Sequence, residues 1–118
     1  MNPQVEFLPD GRQVKLLEDL TFTDSNKRVW AASEGLISDG ASIPRIVWWC
    51  VGSPFTGQYR RAAIFHDGYY THHNNRKRED VDDMFYEIMR ADDVGAIKAW
   101  VIYNAVRLFG WKAWRENG

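Results

Sequence analysis

The sequence has little of what marks several whole classes of protein. Cysteine occurs once, at Cys50, so no disulfide can close within the chain and the small disulfide-stapled scaffolds are excluded. A lone thiol fits a reducing cytoplasm. No apolar run is long: Ile46 to Gly52 is the longest, far short of the roughly 20 residues a membrane helix requires. Met1-Asn2-Pro3-Gln4 lacks a basic segment leading into an apolar one, so no signal peptide is expected. Neither charge is in surplus, since 15 basic and 16 acidic residues leave a formal net charge of −1. Nothing draws the whole molecule to phosphate backbones, and specific nucleic-acid binding is not expected. Internal repeats and linker-like stretches are absent as well. With 118 residues there is room for one domain, 1–118, and one core.

Aromatic side chains are what the chain has in plenty: six Trp, five Tyr and six Phe. Either they build the core or some of them face a binding partner. The pattern changes period near residue 42. Residues 1–41 are strand-rich, with short runs at Val5 to Leu8, Gln13 to Leu17, Leu20 to Thr23 and Val29 to Ala32, separated by Pro9-Asp10-Gly11, Asp24-Ser25-Asn26 and Glu34-Gly35. Pro9-Asp10-Gly11 reads as a hairpin turn, because proline presets one φ and glycine accepts a positive one. Residues 42–118 are helical. A short helix capped by Ser42 is expected through Val51, ended by Gly52 and followed by a tight connector to Gly57. Longer helices are expected at about 58–70, 79–90 and 94–108, the last stopped by Gly110. The fold class is α+β: a small N-terminal antiparallel sheet packed on a bundle of three to four helices.

At 100° per residue, Tyr59, Ala62, Ala63, His66 and Tyr70 share one side of the second helix. Ile64 and Phe65 cover the other side, so the helix should be buried with the polar pair His66-Asp67 inside it. Such groups cost several kcal/mol unless they find partners. The third helix buries Val81, Met84, Phe85 and Ile88, which leaves Asp82 at the edge of that stripe and Asp83 on the solvent side. Only residues 71–78 join the two helices, forcing an antiparallel hairpin that can bring Asp82 opposite His66.

A carboxylate beside a buried imidazole fixes its tautomer and stabilises the imidazolium it becomes on taking a proton. Asp67, angled away from Asp82, could hold a cation near a developing oxyanion. The loop Asp39-Gly40-Ala41-Ser42 supplies an acid and carbonyl oxygens of the kind Ca²⁺ accepts, with Asp67 and Asp39 as ligands. Plainer readings stand beside these. The His66–Asp82 pair is also what a structural hydrogen bond looks like, and the loop is also an ordinary turn before a helix cap. His72-His73 with Asn74-Asn75 reads as a solvated hairpin tip, Arg60-Arg61 and Arg76-Lys77-Arg78 as solvated faces, and Cys50 as a buried thiol.

The pattern Asp39-Gly40-Ala41-Ser42-Ile43-Pro44-Arg45, then His66-Asp67-x-x-Tyr70, Arg78, Asp82 and Phe85, then Tyr103-x-x-Val106-Arg107-x-Phe109-Gly110-x-x-Ala113-Trp114, resembles the phage and bacterial domain-of-unknown-function family numbered 1353. That resemblance implies a phage or prophage origin. Location would then be the host cytoplasm or the virion. His66-Asp67-x-x-Tyr70 on a helix, with an upstream glycine-bearing loop and an aspartate on the next helix, is also similar to the phospholipase A(2) site. It implies His66 as base, Asp82 as its orienter, Tyr70 as partner to Asp82, and Asp67 as Ca²⁺ ligand. The sequence departs from that family in having no disulfides and a loop poorer in glycine. The resulting expectation is a calcium-dependent lipid or ester hydrolase. The alternative is a non-enzymatic phage protein, a virion or tail component or a binder of a host factor or small-molecule signal, in which the same residues are structural or line a pocket.

Overall fold

The computed structural model describes residues 3–10, 13–51 and 58–117. The connector expected before Gly57 and Gly11 of the first turn lie outside these residues, as does the side chain of Cys50. Among the described residues, five short strands precede five helices: β1 (Val5–Phe7), β2 (Val14–Leu16), β3 (Leu20–Thr23), β4 (Val29–Ala32), β5 (Ile37–Ser38), α1 (Arg45–Val51), α2 (Arg60–Thr71), α3 (Arg78–Ala91), α4 (Ala96–Phe109) and α5 (Trp111–Asn117). This is the α+β arrangement the periodicity implies.

The strands form two antiparallel sheets rather than one. In the first, in the order β1-β2-β5, Val5 lies opposite Leu16 and Val14 opposite Ser38. In the second, β3 pairs with β4 from Leu20 opposite Ala32 to Thr23 opposite Val29. Alternation sets the buried faces: Val14 and Leu16 point inward while Lys15 is exposed, and Trp30 and Ala32 are buried between exposed neighbours. Asp24 organises the β3–β4 turn. Its Oδ1 accepts the backbone N–H groups of Asn26 and Arg28, both at 2.9 Å, and its Oδ2 accepts from Arg28 Nε at 2.7 Å and Trp30 Nε1 at 2.9 Å. Burial would raise the Asp24 carboxyl pKa, but these donors together hold it below the ordinary aspartate range. Replacing Trp30 by Phe should remove one of the donors and cost about 1–2 kcal/mol, read from the denaturant midpoint.

Helix α2 is buried almost all round, from Ala62 to Tyr70, and packs against α3, α5, β4 and β5. Its antiparallel hairpin with α3 turns through Asn74 and Asn75, whose positive φ angles of 53° and 62° suit asparagine. Phe85 and Met84 of α3 and Ile102 and Val106 of α4 close the core from the far side. Burying a side chain such as Phe85 contributes about 1.5–3 kcal/mol.

Several expectations need correcting. Gly110 ends α4 as expected, but at φ −81° it stays right-handed, and a further helix that the periodicity does not foresee, α5, follows at once. Glycine is needed there for space, because a Cβ would lie 2.5 Å from the Val106 carbonyl oxygen and 3.0 Å from the Tyr70 hydroxyl. Gly110→Ala should therefore destabilise by about 1–3 kcal/mol, measured by thermal melting. Phe109, at the end of α4, is 60% exposed, because α4 is apolar on most sides and period alone does not say which side faces in. Asp83 is half-buried and accepts the Tyr103 hydroxyl at 2.6 Å; burial, then this contact, pushes the Tyr103 pKa up to about 12. The basic clusters are not simply solvated either. Arg61 pairs with Asp92 at 2.9 Å, Arg76 donates to the Val29 carbonyl at 2.6 Å, and Arg78 is drawn inward. His73 stacks on Trp114, ring centroids 3.4 Å apart.

Candidate functional site

The centre of the molecule is polar. His66 lies on the second turn of α2, fully buried, with its ring stacked on Tyr70 (centroids 4.1 Å) and tilted against Phe85 (4.5 Å). Its Nε2 is 2.7 Å from Asp82 Oδ1, which the α2–α3 hairpin carries to it. The same oxygen accepts the Tyr70 hydroxyl at 2.7 Å, and Asp82 Oδ2 accepts from Arg107 of α4 at 2.8 Å. Arg78 completes the cage. It donates Nε–H to the Tyr70 hydroxyl at 3.1 Å and Nη2–H to the Val106 and Arg107 carbonyls, both at 2.8 Å.

Asp82 is fully buried, and burial alone would raise its pKa. The donors from His66, Tyr70 and Arg107 outweigh that, so the carboxyl is held below the ordinary aspartate range and is ionised at neutral pH. Tyr70 moves the other way: burial, then the adjacent Asp82 charge, raises its pKa well above that of a free phenol, and it stays a donor. An ionised Asp82 fixes the Nε2–H tautomer of His66 and leaves Nδ1 free to take a proton.

That nitrogen faces Ser42, whose Oγ is 2.8 Å away. Ser42 was expected to cap α1, but it sits three residues ahead of that helix, in the β5–α1 loop. The loop is pinned by Asp67. Asp67 Oδ2 accepts the Gly40 N–H at 2.6 Å and the Ser38 hydroxyl; Oδ1 accepts the Ser42 N–H at 3.2 Å and contacts the Ser42 hydroxyl. Ser38 reaches this point because the two-residue strand β5 pairs with β2, and Gly40 takes a φ of 73° there. Burial is the largest influence on Asp67 and raises its pKa despite these donors.

A cleft of about 260 Å³ opens above this array, between the β5–α1 loop, the end of α2 and α5. Asp39, Ala41, Ser42, Asp67 and Tyr70 line it, with Thr71 and Ala113. His66 lies beneath its floor and meets the cleft through Ser42. Trp48 and Trp49 do not line it, and Trp49 stands 89% exposed on α1.

Of the sequence-derived site residues, His66, Asp82 and Tyr70 form one hydrogen-bonded cluster. Asp67 and Asp39 border the cleft beside it. The loop turns N–H groups and hydroxyls toward Asp67, so its carboxylate oxygens already meet four donors, from Ser38, Gly40 and Ser42. The Asp39 carboxylate is itself turned back onto the Ala41 N–H at 2.8 Å. Among the described residues, no three His, Cys, Asp or Glu side chains converge as a metal site. The sequence places Ser42 in the candidate calcium loop and at a helix cap, gives no role to Ser38, and names Arg78 and Arg107 only in the family pattern and, for Arg78, in a basic cluster. Only Arg78 left a local signal, four residues before Asp82 on the same helix.

The class defined here is a small α+β domain whose central buried helix carries an imidazole backed by a caged carboxylate and facing a serine. The chain belongs to the family described as "Protein of unknown function (DUF1353)", which matches residues 14–106. It is similar to two proteins of Sinorhizobium fredii. One, "Uncharacterized protein y4jT", is 38% identical over 81% of this chain and 28% of its own length; the other, "Uncharacterized protein y4iH", is 36% identical over 87% of this chain and 43% of its own. The chain thus spans less than half the length of these curated relatives. No solved structure matches it.

Proposed function

We propose that the protein is an ester hydrolase in which Ser42 is the nucleophile, His66 its general base and Asp82 the residue that orients and charges the base. The observation that carries this is the unbroken line from Asp82 through His66 to a serine on the floor of a cleft. A nucleophile, a base within hydrogen-bond reach and a third group that orients the base are what acyl transfer requires. In the first step Ser42 Oγ attacks the ester carbonyl as its proton moves to His66 Nδ1. Collapse expels the alcohol, which takes that proton back, and leaves Ser42 acylated. Water then attacks the acyl group with His66 again as base, releasing the acid and restoring the serine.

Asp67 decides which way the Ser42 hydroxyl points. Ionised, it competes with His66 for the serine proton. Protonated, it would donate to Oγ and leave the serine proton to His66; burial raises its pKa in the direction of that form. In this reading Asp67 holds the loop rather than a cation. Millimolar Ca²⁺ should leave the melting temperature unchanged, and a rise of several degrees would restore the calcium-ligand role of Asp67. Phospholipid is the substrate class that the likeness to phospholipase A(2) suggests.

One observation favours a second reading. Asp67 and Asp82 each satisfy both oxygens internally, as a structural clasp would. The protein would then be a phage virion or tail component, or a binder whose cleft takes a host factor or signal molecule. Turnover of p-nitrophenyl esters and of phospholipid vesicles separates the two. Hydrolysis by the wild type that Ser42→Ala abolishes supports the enzyme; a wild type inert on both substrates supports the clasp.

A further inference from the structure

Away from the cleft, α1 and α4 share an exposed apolar face. Along α4, Ile97, Trp100, Val101 and Leu108 recur at intervals of three, four and seven, the spacing of a single helical side. All four are exposed, Ile97 at 81% and Leu108 at 67%. On α1, Ile46 and Trp49 are three residues apart and also exposed. The two helices are continuous at the surface, because Ile46 and Val47 line one groove of about 290 Å³ with Trp100 and Leu108. Asn104, the polar residue within the α4 stripe, donates its side-chain N–H back to the Trp100 carbonyl at 2.8 Å, which lowers its demand for water. A contiguous patch of this kind calls for an occupant.

Charge indicates which one. The helices α1, α4 and α5 hold five of the fifteen basic residues but one of the sixteen acidic ones. Arg107 is committed to Asp82. Arg45, Lys112 and Arg115 are exposed, and Lys98 is half-buried. Arg45 and Arg115 lie over the rings of Trp48 and Trp111 at 4.8 and 5.0 Å, so cation and indole are offered together. Exposed tryptophans with aliphatic neighbours and a basic fringe suit a bilayer interface: indoles settle at headgroup depth, aliphatic chains enter the acyl boundary, and cations meet anionic lipid. A partner protein cut to fit such a face would need acids to match the fringe, and a second copy would bring like charge against like.

We propose that the α1–α4 face seats this protein on the surface of an anionic phospholipid bilayer, lying on it rather than spanning it. No described helix is long and apolar enough to cross a membrane. The surface deepens the lipid form of the hydrolase reading, since α5 carries both exposed Trp111 and the Ala113 wall of the cleft. It rests on separate residues, however, and its assay reads binding and not turnover.

The test is co-sedimentation with vesicles of phosphatidylcholine alone and of phosphatidylcholine with phosphatidylglycerol, alongside tryptophan emission. The expected result is binding to the anionic vesicles, weaker at high salt, with a blue shift of emission. The double variant Trp49→Ala/Trp100→Ala should melt as the wild type does and bind about tenfold more weakly. Ser42→Ala should bind vesicles as the wild type does, so a failed hydrolase leaves this result standing. Binding unchanged in the double variant would overturn the proposal. So would absence of binding, whether light scattering then finds a monomer or a self-association that Trp100→Asp dissolves.

Discussion

Replacing Asp82 by alanine is expected to be the most damaging single change to stability, costing about 3–5 kcal/mol and lowering Tm by on the order of 10–20 °C. The reason is the number of groups that depend on one carboxylate. His66 Nε2, the Tyr70 hydroxyl and Arg107 all donate to it, and with it gone two of them remain buried without an acceptor while a guanidinium loses its counter-charge. Asp82→Asn should cost less, because a carbonyl oxygen still accepts, but it cannot satisfy donors on both sides. The pH dependence has a definite sign. Asp82 has a folded pKa below its unfolded one, so its contribution is fully present above about pH 4 and is lost as pH falls through the lower folded value. Asp24 acts in the same direction. Asp67, raised by burial, acts oppositely: its effect on stability improves as pH falls from its folded value toward about 4. Asp82→Asn should therefore flatten the acid limb below pH 4 in urea titrations, and leave the gentler slope above it.

The second large effect is on chemistry. Removing the base with His66→Ala should lower ester turnover by about 10²–10⁴-fold. The same substitution opens a cavity between Tyr70 and Phe85 and takes a donor from Asp82, so about 2–4 kcal/mol of stability should go with it. Ser42→Ala separates the two effects. Its side chain is small and lines the cleft floor, so the stability cost should be about 1 kcal/mol while turnover falls as far as in His66→Ala. A structural clasp predicts the same loss of stability in His66→Ala, and no activity to lose in either variant.

Much of this centre was legible in the sequence. Helical period alone puts His66 and Tyr70 on the inner stripe of α2, and the short 71–78 connection forces the hairpin that brings Asp82 to them. What the sequence could not express was the loop. Ser42 precedes a proline and an apolar run, which is how a helix cap reads, and only the pairing of two-residue β5 with β2 swings it onto His66. The sequence offers Asp67 as a cation ligand because carboxylates and glycine-bearing loops occur in calcium sites; which groups such a loop turns toward the carboxylate depends on backbone dihedrals that composition does not carry. Arg107 stands in the family pattern, but its pairing with Asp82 has no local signal, because it lies 25 residues away on a different helix. The aromatic abundance divides along the same line. Trp30, Tyr59, Phe65, Tyr70 and Phe85 are core, whereas Trp49, Trp100, Phe109 and Trp111 are surface, and a helix apolar on most sides gives no periodic cue to tell which side faces in.

Labelling with a fluorophosphonate, read by intact mass and peptide mapping, tests the central claim most directly, because the reagent phosphonylates, with loss of fluoride, only a serine activated by its neighbours. The account predicts one adduct per chain, on Ser42, formed by the wild type and lost in both Ser42→Ala and His66→Ala. A folded wild type that takes no label, or takes it at another serine, would contradict it.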